Sequence, residues 1–170
     1  MPSPGDLERL YADHAQALFA FLFHLTRREA DTRDLLQEMF LKLARKPDLL
    51  RSVRAERSFL LRMAHNAAID LARRRHTREE SPDDLAAEGA GLFAPANDPD
   101  EQTFREALSR ALGELPADQR AVVHLKLREG LTFDEIAATL DIPLNTAASR
   151  YRYGLDKLRA RLRPLYDEIV

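Results

Sequence analysis

One acidic segment interrupts a sequence that is otherwise patterned for helices, and it limits the chain to two separate bodies. Residues 77–100 read TREESPDDLAAEGAGLFAPANDPD, which mixes Gly, Pro and Ala with carboxylates and has no sustained apolar period. Residues 79–101 contain eight Asp and Glu and no Lys or Arg, a net charge of −8. This composition favours a flexible linker. We therefore predict two small helical domains, 1–76 and 101–170, joined by an acidic linker at 77–100.

Outside this segment the apolar residues recur at the i, i+3, i+4, i+7 spacing of amphipathic helices. No stretch alternates with period two over five or more residues, so the predicted fold class is all-α. Asp31 is the predicted N-cap of the second helix, and Pro47 is predicted to stop it. The predicted helices cover about 7–25, 31–46, 55–75, 101–113, 118–128, 132–140 and 144–163.

The composition excludes several classes of protein and site. The 170 residues include no Cys, which excludes disulfides, iron–sulfur clusters and Cys-ligated zinc. The longest apolar run, residues 17–23, is far shorter than the roughly 20 residues that cross a bilayer. The N-terminus lacks the charged and apolar layout of a secretory signal. We expect a cytoplasmic protein with no membrane insertion, no metal and no cofactor.

Residues 131–159 have the spacing of a helix-turn-helix. Thr132 and Glu135 form a predicted capping box, and Ala137 is small enough for two helices to cross closely. Ser149–Arg163 carries six basic residues and one acidic residue. The N-terminal residues of such a second helix meet base edges in the DNA major groove, while Arg, Ser and Thr hold phosphates. The alternative is an ordinary helical hairpin with a solvated basic face.

The predicted helix 55–75 also combines groups that suit nucleic acid. Arg62, His65 and Asn66 share a polar face that continues into the basic run 73–75. Aromatic, amide and guanidinium groups on one helix suit bases that have left the duplex. The alternative is a core aromatic and a solvated basic end that the helix dipole favours. The residues predicted to face inward are Phe59, Leu60, Met63, Ala67 and Leu71.

Three segments in this order resemble bacterial sigma factors of the extracytoplasmic-function group of the sigma-70 family, over about residues 6–163. DLLQEMFLKL, residues 34–43, is by itself typical of a surface helix, but it resembles the family's helix that docks on the clamp helices of the polymerase β′ subunit. FLLRMAHNAAIDLARRR, residues 59–75, resembles the helix that opens and reads the downstream, minus-ten promoter element. Residues 115–159 resemble the domain that reads the upstream, minus-thirty-five element.

The resemblance implies roles for individual residues, and it implies that the loop 46–57 would pocket an extruded base. The residues implied to bind core polymerase are Asp34, Leu35, Gln37, Glu38 and Phe40. Those implied to contact the minus-ten DNA, or to support the helix that does, are Phe59, Arg62, His65, Asn66, Asp70, Arg73 and Arg74. Those implied to contact the minus-thirty-five DNA are Asn145, Thr146, Ser149, Arg150, Arg152 and Lys157.

The resemblance also implies partners and a function. The protein would be a non-catalytic subunit that binds core RNA polymerase at the β′ clamp helices and the β flap. It would direct the polymerase to promoter DNA and promote transcription initiation, and an anti-sigma factor would be its inhibitor. The negative charge of the linker fits the polymerase channels, because channels built for nucleic acid are positively charged.

Five positions depart from the family's pattern. Phe59 stands where Trp is usual, Asn145 where Gly is usual, and Ala148 where a polar or basic residue is frequent. Tyr153 and Gly154 stand where Arg-Ala is common, and a mid-helix Gly costs about 1 kcal/mol relative to Ala. We therefore expect the upstream sequence preference to be unusual or weak.

Two other functions fit parts of the sequence. A stand-alone regulator would use the helix-turn-helix without polymerase, but it has no reason to pair the helix 34–46 with a melting helix that carries Asn and Arg and with an acidic linker. A nuclease or other enzyme would need a site that the sequence does not offer. The five His are scattered without an H-x-x-x-H spacing, no acidic cluster is placed to hold a metal, and no P-loop is present.

Overall fold

The structure is a computed structural model that describes residues 3–77 and 98–169. The chain divides into two compact units, Met1–Pro82 and Asp83–Val170. The first unit contains α1 (Pro4–Thr26), α2 (Glu29–Arg45), a 3₁₀ turn (Pro47–Leu50) and α3 (Glu56–Thr77). The second contains α4 (Pro99–Glu114), α5 (Ala117–Leu127), α6 (Phe133–Leu140) and α7 (Leu144–Ile169). The all-α prediction is confirmed for the described residues, and most of the predicted linker, 78–97, lies outside them.

Several helix boundaries differ from the prediction by a few residues, and at two of them the structure shows contacts that are distant in sequence. α2 begins at Glu29, so Asp31 lies in its first turn and is not the N-cap. The Asp31 carboxylate instead pairs with the Arg75 guanidinium at 2.5 Å and links the start of α2 to the end of α3. α7 continues through Pro164, past its predicted end. Leu165 in this extension packs against the core of the second unit.

The three helices of the first unit enclose one apolar core. Phe21 and Leu22 of α1 are completely buried, and α2 contributes Leu43. The inward face of α3 differs from the predicted one, since its buried residues are Leu60, Leu61, Ala64 and Ala68. Of the predicted inward set, only Leu60 is buried, and the structure places Phe59, Met63, Ala67 and Leu71 in partly buried positions at the edges of this face. α3 is therefore rotated relative to the prediction.

α6 begins with a side-chain capping box and ends in a turn that a backbone hydrogen bond closes. The predicted capping box is confirmed, because the Glu135 N–H donates to the Thr132 hydroxyl oxygen at 3.1 Å and the Thr132 N–H donates to the Glu135 carboxylate at 2.9 Å. Asp141 ends α6 with a left-handed φ of 55°. The Ile142 N–H then donates to the Ala137 carbonyl at 3.0 Å. The left-handed Asp141 and the bond from Ile142 therefore close the end of α6 just before α7 begins at Leu144.

A buried arginine closes the end of α4. The Arg120 guanidinium donates to the carbonyls of Leu112 at 2.9 Å, Gly113 at 3.1 Å and Leu115 at 2.6 Å. The last carbonyls of a helix have no partner within the helix, so a cationic donor there satisfies them and also interacts well with the helix dipole. Arg120 thus fixes the connection between α4 and α5, a role that the sequence pattern did not predict.

α5 and α7 cross very closely at Gly154. A Cβ atom at this buried position would lie 2.7 Å from Cγ2 of Val123 and 3.7 Å from Cβ of Gln119, both on α5. Carbon atoms prefer separations of about 3.5–4.0 Å, so the first of these contacts excludes a side chain. The mid-helix glycine noted in the sequence therefore has a packing reason, because it permits this crossing.

We predict that Gly154→Ala destabilises the second unit, although alanine improves helix propensity by about 1 kcal/mol. Overpacking a core commonly costs about 1–3 kcal/mol, so we expect a net loss of up to about 2 kcal/mol in the free energy of unfolding. Denaturant unfolding of the full chain measures it. In a double-mutant cycle with Val123→Ala, the two changes should cost less together than the sum of their separate costs. An alanine variant more stable than the wild type would contradict this account.

A second prediction concerns His124 of α5, whose side chain is almost wholly buried, with Nε2 3.7 Å from the Glu129 carboxylate. Burial lowers the pKa of His124 below its ordinary value of 6.5, although the Glu129 carboxylate opposes this effect. The unfolded chain therefore takes up a proton at higher pH than the folded chain does. The free energy of unfolding should fall as the pH drops below about 6.5. Above this pH His124 should cause no such loss of stability, because its imidazole is neutral in both the folded and the unfolded chain.

The measurement compares the wild type with His124→Gln, which cannot titrate, by denaturant unfolding at about pH 7.5 and 5.5. The wild type should lose more stability than the variant between these two conditions. The comparison of losses, rather than of absolute stabilities, removes the effect of the other four histidines and any packing defect in the variant. Equal losses in the two proteins would show that His124 does not contribute.

Candidate polymerase and nucleic-acid interfaces

The residues predicted to bind polymerase lie on two different faces of α2. Asp34, Gln37 and Glu38 are exposed. Leu35 and Phe40 are buried, with 3% and 8% of their surface accessible, and the Phe40 ring packs edge-on against Tyr11 of α1 with centroids 5.0 Å apart. In this conformation the three polar residues offer a surface to a partner. The two apolar residues hold α2 in place.

The predicted minus-ten residues of α3 form one mainly exposed stripe. Arg62, Asn66, Asp70 and Arg73 or Arg74 follow the i, i+4, i+8 spacing of a single helix face, and all of them are exposed. His65 and Phe59 are partly buried beside this stripe. The basic run at the end of α3 divides, because Arg75 turns to pair with Asp31 while its two neighbours remain on the surface.

A groove between α2 and α3 is lined by part of the predicted polymerase set and part of the predicted minus-ten set. Glu38 and Lys42 line it from α2, and Asn66, Asp70 and Arg74 line it from α3. Its apolar lining residues are Leu35, Met39, Met63 and Ala67. The rotation of α3 explains the groove, since Met63 and Ala67 lie at its wall and not deep in the core. The sequence pattern did not predict that the two sets would share a surface.

The start of α3 is anchored to α1 by charged side chains that the sequence analysis missed. Arg9 donates to both carboxylate oxygens of Glu56, at 2.8 and 3.2 Å, and His14 lies 3.6 Å from the same carboxylate. The hydrogen bonds from Arg9 lower the pKa of the Glu56 carboxyl, although its partial burial opposes this. Since Glu56 is the first residue of α3, the network links the start of this helix to α1. No local spacing connects residues 47 positions apart.

The six predicted minus-thirty-five residues all lie on α7. Asn145, Ser149 and Arg152 follow the i, i+4, i+7 spacing of one face, and the other three, Thr146, Arg150 and Lys157, share an adjacent face. Asn145, Arg152 and Lys157 are exposed, and the rest are partly buried. The opposite face, which packs into the second unit, contains Ala147, Gly154, Leu158 and Leu162.

Two of these basic side chains have contacts within the second unit. The Arg150 Nε lies 3.4 Å from the carboxylate of Asp118 in the first turn of α5. Arg152 lies over the exposed ring of Tyr153, 5.2 Å from its centroid. Exposed ion pairs contribute little to stability, so the pair with Asp118 chiefly affects the direction and net charge of Arg150. A phosphate that binds Arg150 would compete with Asp118.

Within 3–77 and 98–169, no group of three or more His, Asp or Glu is placed to hold a metal ion. No helix in the same ranges is long and apolar enough to cross a membrane.

Comparison with known families gives two matches, one in each unit. The family described as Sigma-70 region 2 matches residues 10–79, which include most of α1 and all of α2 and α3. The family described as Sigma-70, region 4 matches residues 105–158, from within α4 into α7.

Individual proteins with similar sequences are described as RNA polymerase sigma factors. The chain is 34% identical to the ECF RNA polymerase sigma factor SigE of Mycolicibacterium smegmatis over 167 residues, which cover 94% of this chain and 61% of SigE. It therefore spans less than two thirds of that relative's length. It is also 34% identical to the RNA polymerase sigma factor CarQ of Myxococcus xanthus over 163 residues, which cover 96% of this chain and 92% of CarQ.

A solved structure has the same fold. The sigma factor RpoE of Bartonella quintana, crystallised in complex with the anti-sigma factor NepR, matches with a TM-score of 0.73 at 24% identity. The match covers 93% of this chain and 97% of RpoE. It supports the two-domain helical architecture.

We predict that Arg150→Ala weakens DNA binding and lowers its dependence on salt, provided that Arg150 neutralises a phosphate. The slope of log K against log salt should fall by about one unit. The measurement is fluorescence anisotropy of a labelled duplex titrated with full chain across several salt concentrations. Arg161→Ala is the matched control, because Arg161 is also an ion-paired arginine of α7, bound to Glu114 at 3.0 Å, but lies far from the helix start. An equal change of slope in the two variants would contradict the assignment of a phosphate contact to Arg150.

Proposed function

The chain belongs to the sigma-70 family of RNA polymerase sigma factors, in the extracytoplasmic-function group, and on this premise we propose that it is a dissociable promoter-specificity subunit. It binds core RNA polymerase, directs it to particular promoters and promotes the initiation of transcription. It carries out no catalysis itself and acts in the cytoplasm, where the polymerase works. The single observation that supports this best is the match of both sigma regions, in order, to residues 10–79 and 105–158 of one chain.

In this proposal the domains divide the work. Residues 1–76 bind polymerase and open the minus-ten element, residues 77–100 form the acidic linker, and residues 101–170 bind the minus-thirty-five element. A stand-alone helix-turn-helix regulator is not favoured, because such a protein would need only the second of these domains. The region 2 match covers the first.

The first domain would use the exposed faces of α2 and α3 for two tasks at once. Asp34, Gln37 and Glu38 contact the β′ clamp helices, while Asn66 and the arginines of the α3 stripe contact the opened strand. Extruding a base costs a few kcal/mol, which contacts in the loop 46–57 and on α3 must offset. Because Glu38 and Asn66 line one groove, polymerase bound to α2 would lie directly beside the melted strand.

The second domain would place the start of α7 in the major groove of the upstream element. Its N-terminal residues meet base edges, and Arg150, Arg152 and Lys157 neutralise phosphates and hold the helix in register. The β flap of the polymerase would contact this domain as well. Polymerase bound to both domains thereby bridges the two promoter elements.

An anti-sigma factor is the proposed inhibitor. The related RpoE was crystallised with its anti-sigma factor NepR. A protein that covers the exposed face of α2 or the outer face of α7 would block polymerase or DNA binding respectively, because both faces are exposed in the free chain.

A run-off transcription assay with purified core enzyme and genomic fragments tests the function. We expect promoter-dependent products only when the full chain is added. Asp34→Lys or Glu38→Lys should lower the affinity for core enzyme by about tenfold or more, because like charges facing each other across an interface cost several kcal/mol. The loss of transcription should follow the loss of binding.

Glu8→Lys is the matched control, since it reverses an exposed acidic residue of α1 to which no role is assigned. Circular dichroism should show that all three variants keep the helical fold. If Glu38→Lys and Glu8→Lys bind core enzyme equally well, Glu38 does not dock. If the wild-type chain yields no promoter-dependent product from any fragment, the proposed function is wrong.

A further inference from the structure

The first turn of α7 presents an apolar side chain to which no role has been assigned. Leu144, the first residue of the helix, is 46% exposed, and Asn145 beside it is also exposed. Single exposed leucines are common on protein surfaces and need no explanation by themselves. Leu144 is distinctive because of its position, as the first residue of the second helix of the helix-turn-helix.

Burial of Ala147 and backbone hydrogen bonds hold this first turn of α7 in place. Ala147, one turn into the helix, is completely buried, and its N–H donates to the Pro143 carbonyl at 3.1 Å. The Ile142 N–H bonds back to the Ala137 carbonyl at 3.0 Å. In a helix each Cα–Cβ bond tilts toward the N-terminus, so side chains of the first turn extend beyond the helix end. The side chains of Leu144 and Asn145 therefore extend from a buried, hydrogen-bonded turn toward any molecule that binds at the N-terminus of α7.

The charges on the same helix favour DNA over an apolar protein as that partner. Arg150 and Arg152 follow within two turns, and the segment from Ser149 to Arg163 carries six basic residues against one acidic residue. In a helix-turn-helix the first residues of the second helix reach base edges in the major groove. In that groove thymine exposes an apolar C5-methyl group, and adenine presents a donor and an acceptor that match the asparagine amide.

We infer that Leu144 and Asn145 read A·T pairs in the upstream promoter element. The Leu144 side chain packs on the methyl group of one thymine, and the Asn145 amide pairs with N6 and N7 of an adenine. Ser149, one turn above Asn145 on the same face, contacts the adjoining base or phosphate. This inference rests on the proposed function and extends it, because it states which bases this chain selects and which side chains select them.

The experiment first obtains the element and then removes single methyl groups from it. Holoenzyme reconstituted from core polymerase and the full chain selects duplexes from a pool randomised over the upstream element. Each thymine of the selected duplex is then replaced in turn by deoxyuridine, which lacks only the C5-methyl. With wild-type chain, one replacement should weaken binding about three- to fourfold, the effect expected for one buried methyl group.

Leu144→Ala and Leu144→Gln should bind the thymine and deoxyuridine duplexes equally at that position, and Asn145→Ala should lower adenine discrimination by about tenfold or more. The matched control is Leu127→Ala, which removes a leucine that is 61% exposed at the end of α5. It should keep the full deoxyuridine effect. All four variants are tested as holoenzyme, so the readout does not depend on an isolated domain.

Three outcomes would overturn the inference while leaving the proposed function intact, since selection would have succeeded in each. No thymine of the selected element responds to deoxyuridine; or Leu144→Ala retains the wild-type response; or Leu144→Ala impairs only holoenzyme assembly, which would make Leu144 a protein contact. Failure of the wild-type holoenzyme to enrich any sequence, together with absence of run-off product, would instead overturn the proposed function itself.

Discussion

Burial of one face of each helix decides what its opposite face can offer to a partner. In α2 the buried Leu35 and Phe40 turn Asp34 and Glu38 outward. In α7 the buried row that starts at Ala147 has the same effect on the polar residues of the first turns. Most of the stability of a helix in a protein comes from packing of its apolar face, so packing must hold these helices. Every proposed contact with polymerase or DNA therefore depends on an apolar contact on the far side of the same helix.

Charged side chains at the helix ends add the precision that apolar packing lacks. Arg120 closes α4, Arg9 and Glu56 fix the start of α3, and Asp31 and Arg75 join α2 to the end of α3. Apolar contacts tolerate small rotations and slides, whereas a hydrogen bond weakens steeply with angle. A helix that recognises DNA bases needs this precision, because its side chains must contact particular atoms in the major groove.

The distribution of charge matters more for this function than the net charge of −2. Carboxylates lie on the exposed face of α2, and basic residues lie on the outer parts of α3 and α7. Several arginines are already paired, as Arg150 is with Asp118. A phosphate that binds Arg150 would have to displace Asp118.

The resemblance of three ordered segments to a known family indicated the membership of the sigma-70 family. Local patterns in the sequence were sufficient for the all-α class, the approximate extent of the helices and the capping box at Thr132. These features depend on residues within a turn or two of each other, so periodicity and spacing reveal them. The phase of α3, the need for glycine at position 154, the clamp made by Arg120 and the pairing of Asp31 were decided by the tertiary structure alone. Each of these four features depends on a contact with an atom of a different helix. A local sequence pattern does not record which residues of different helices come into contact.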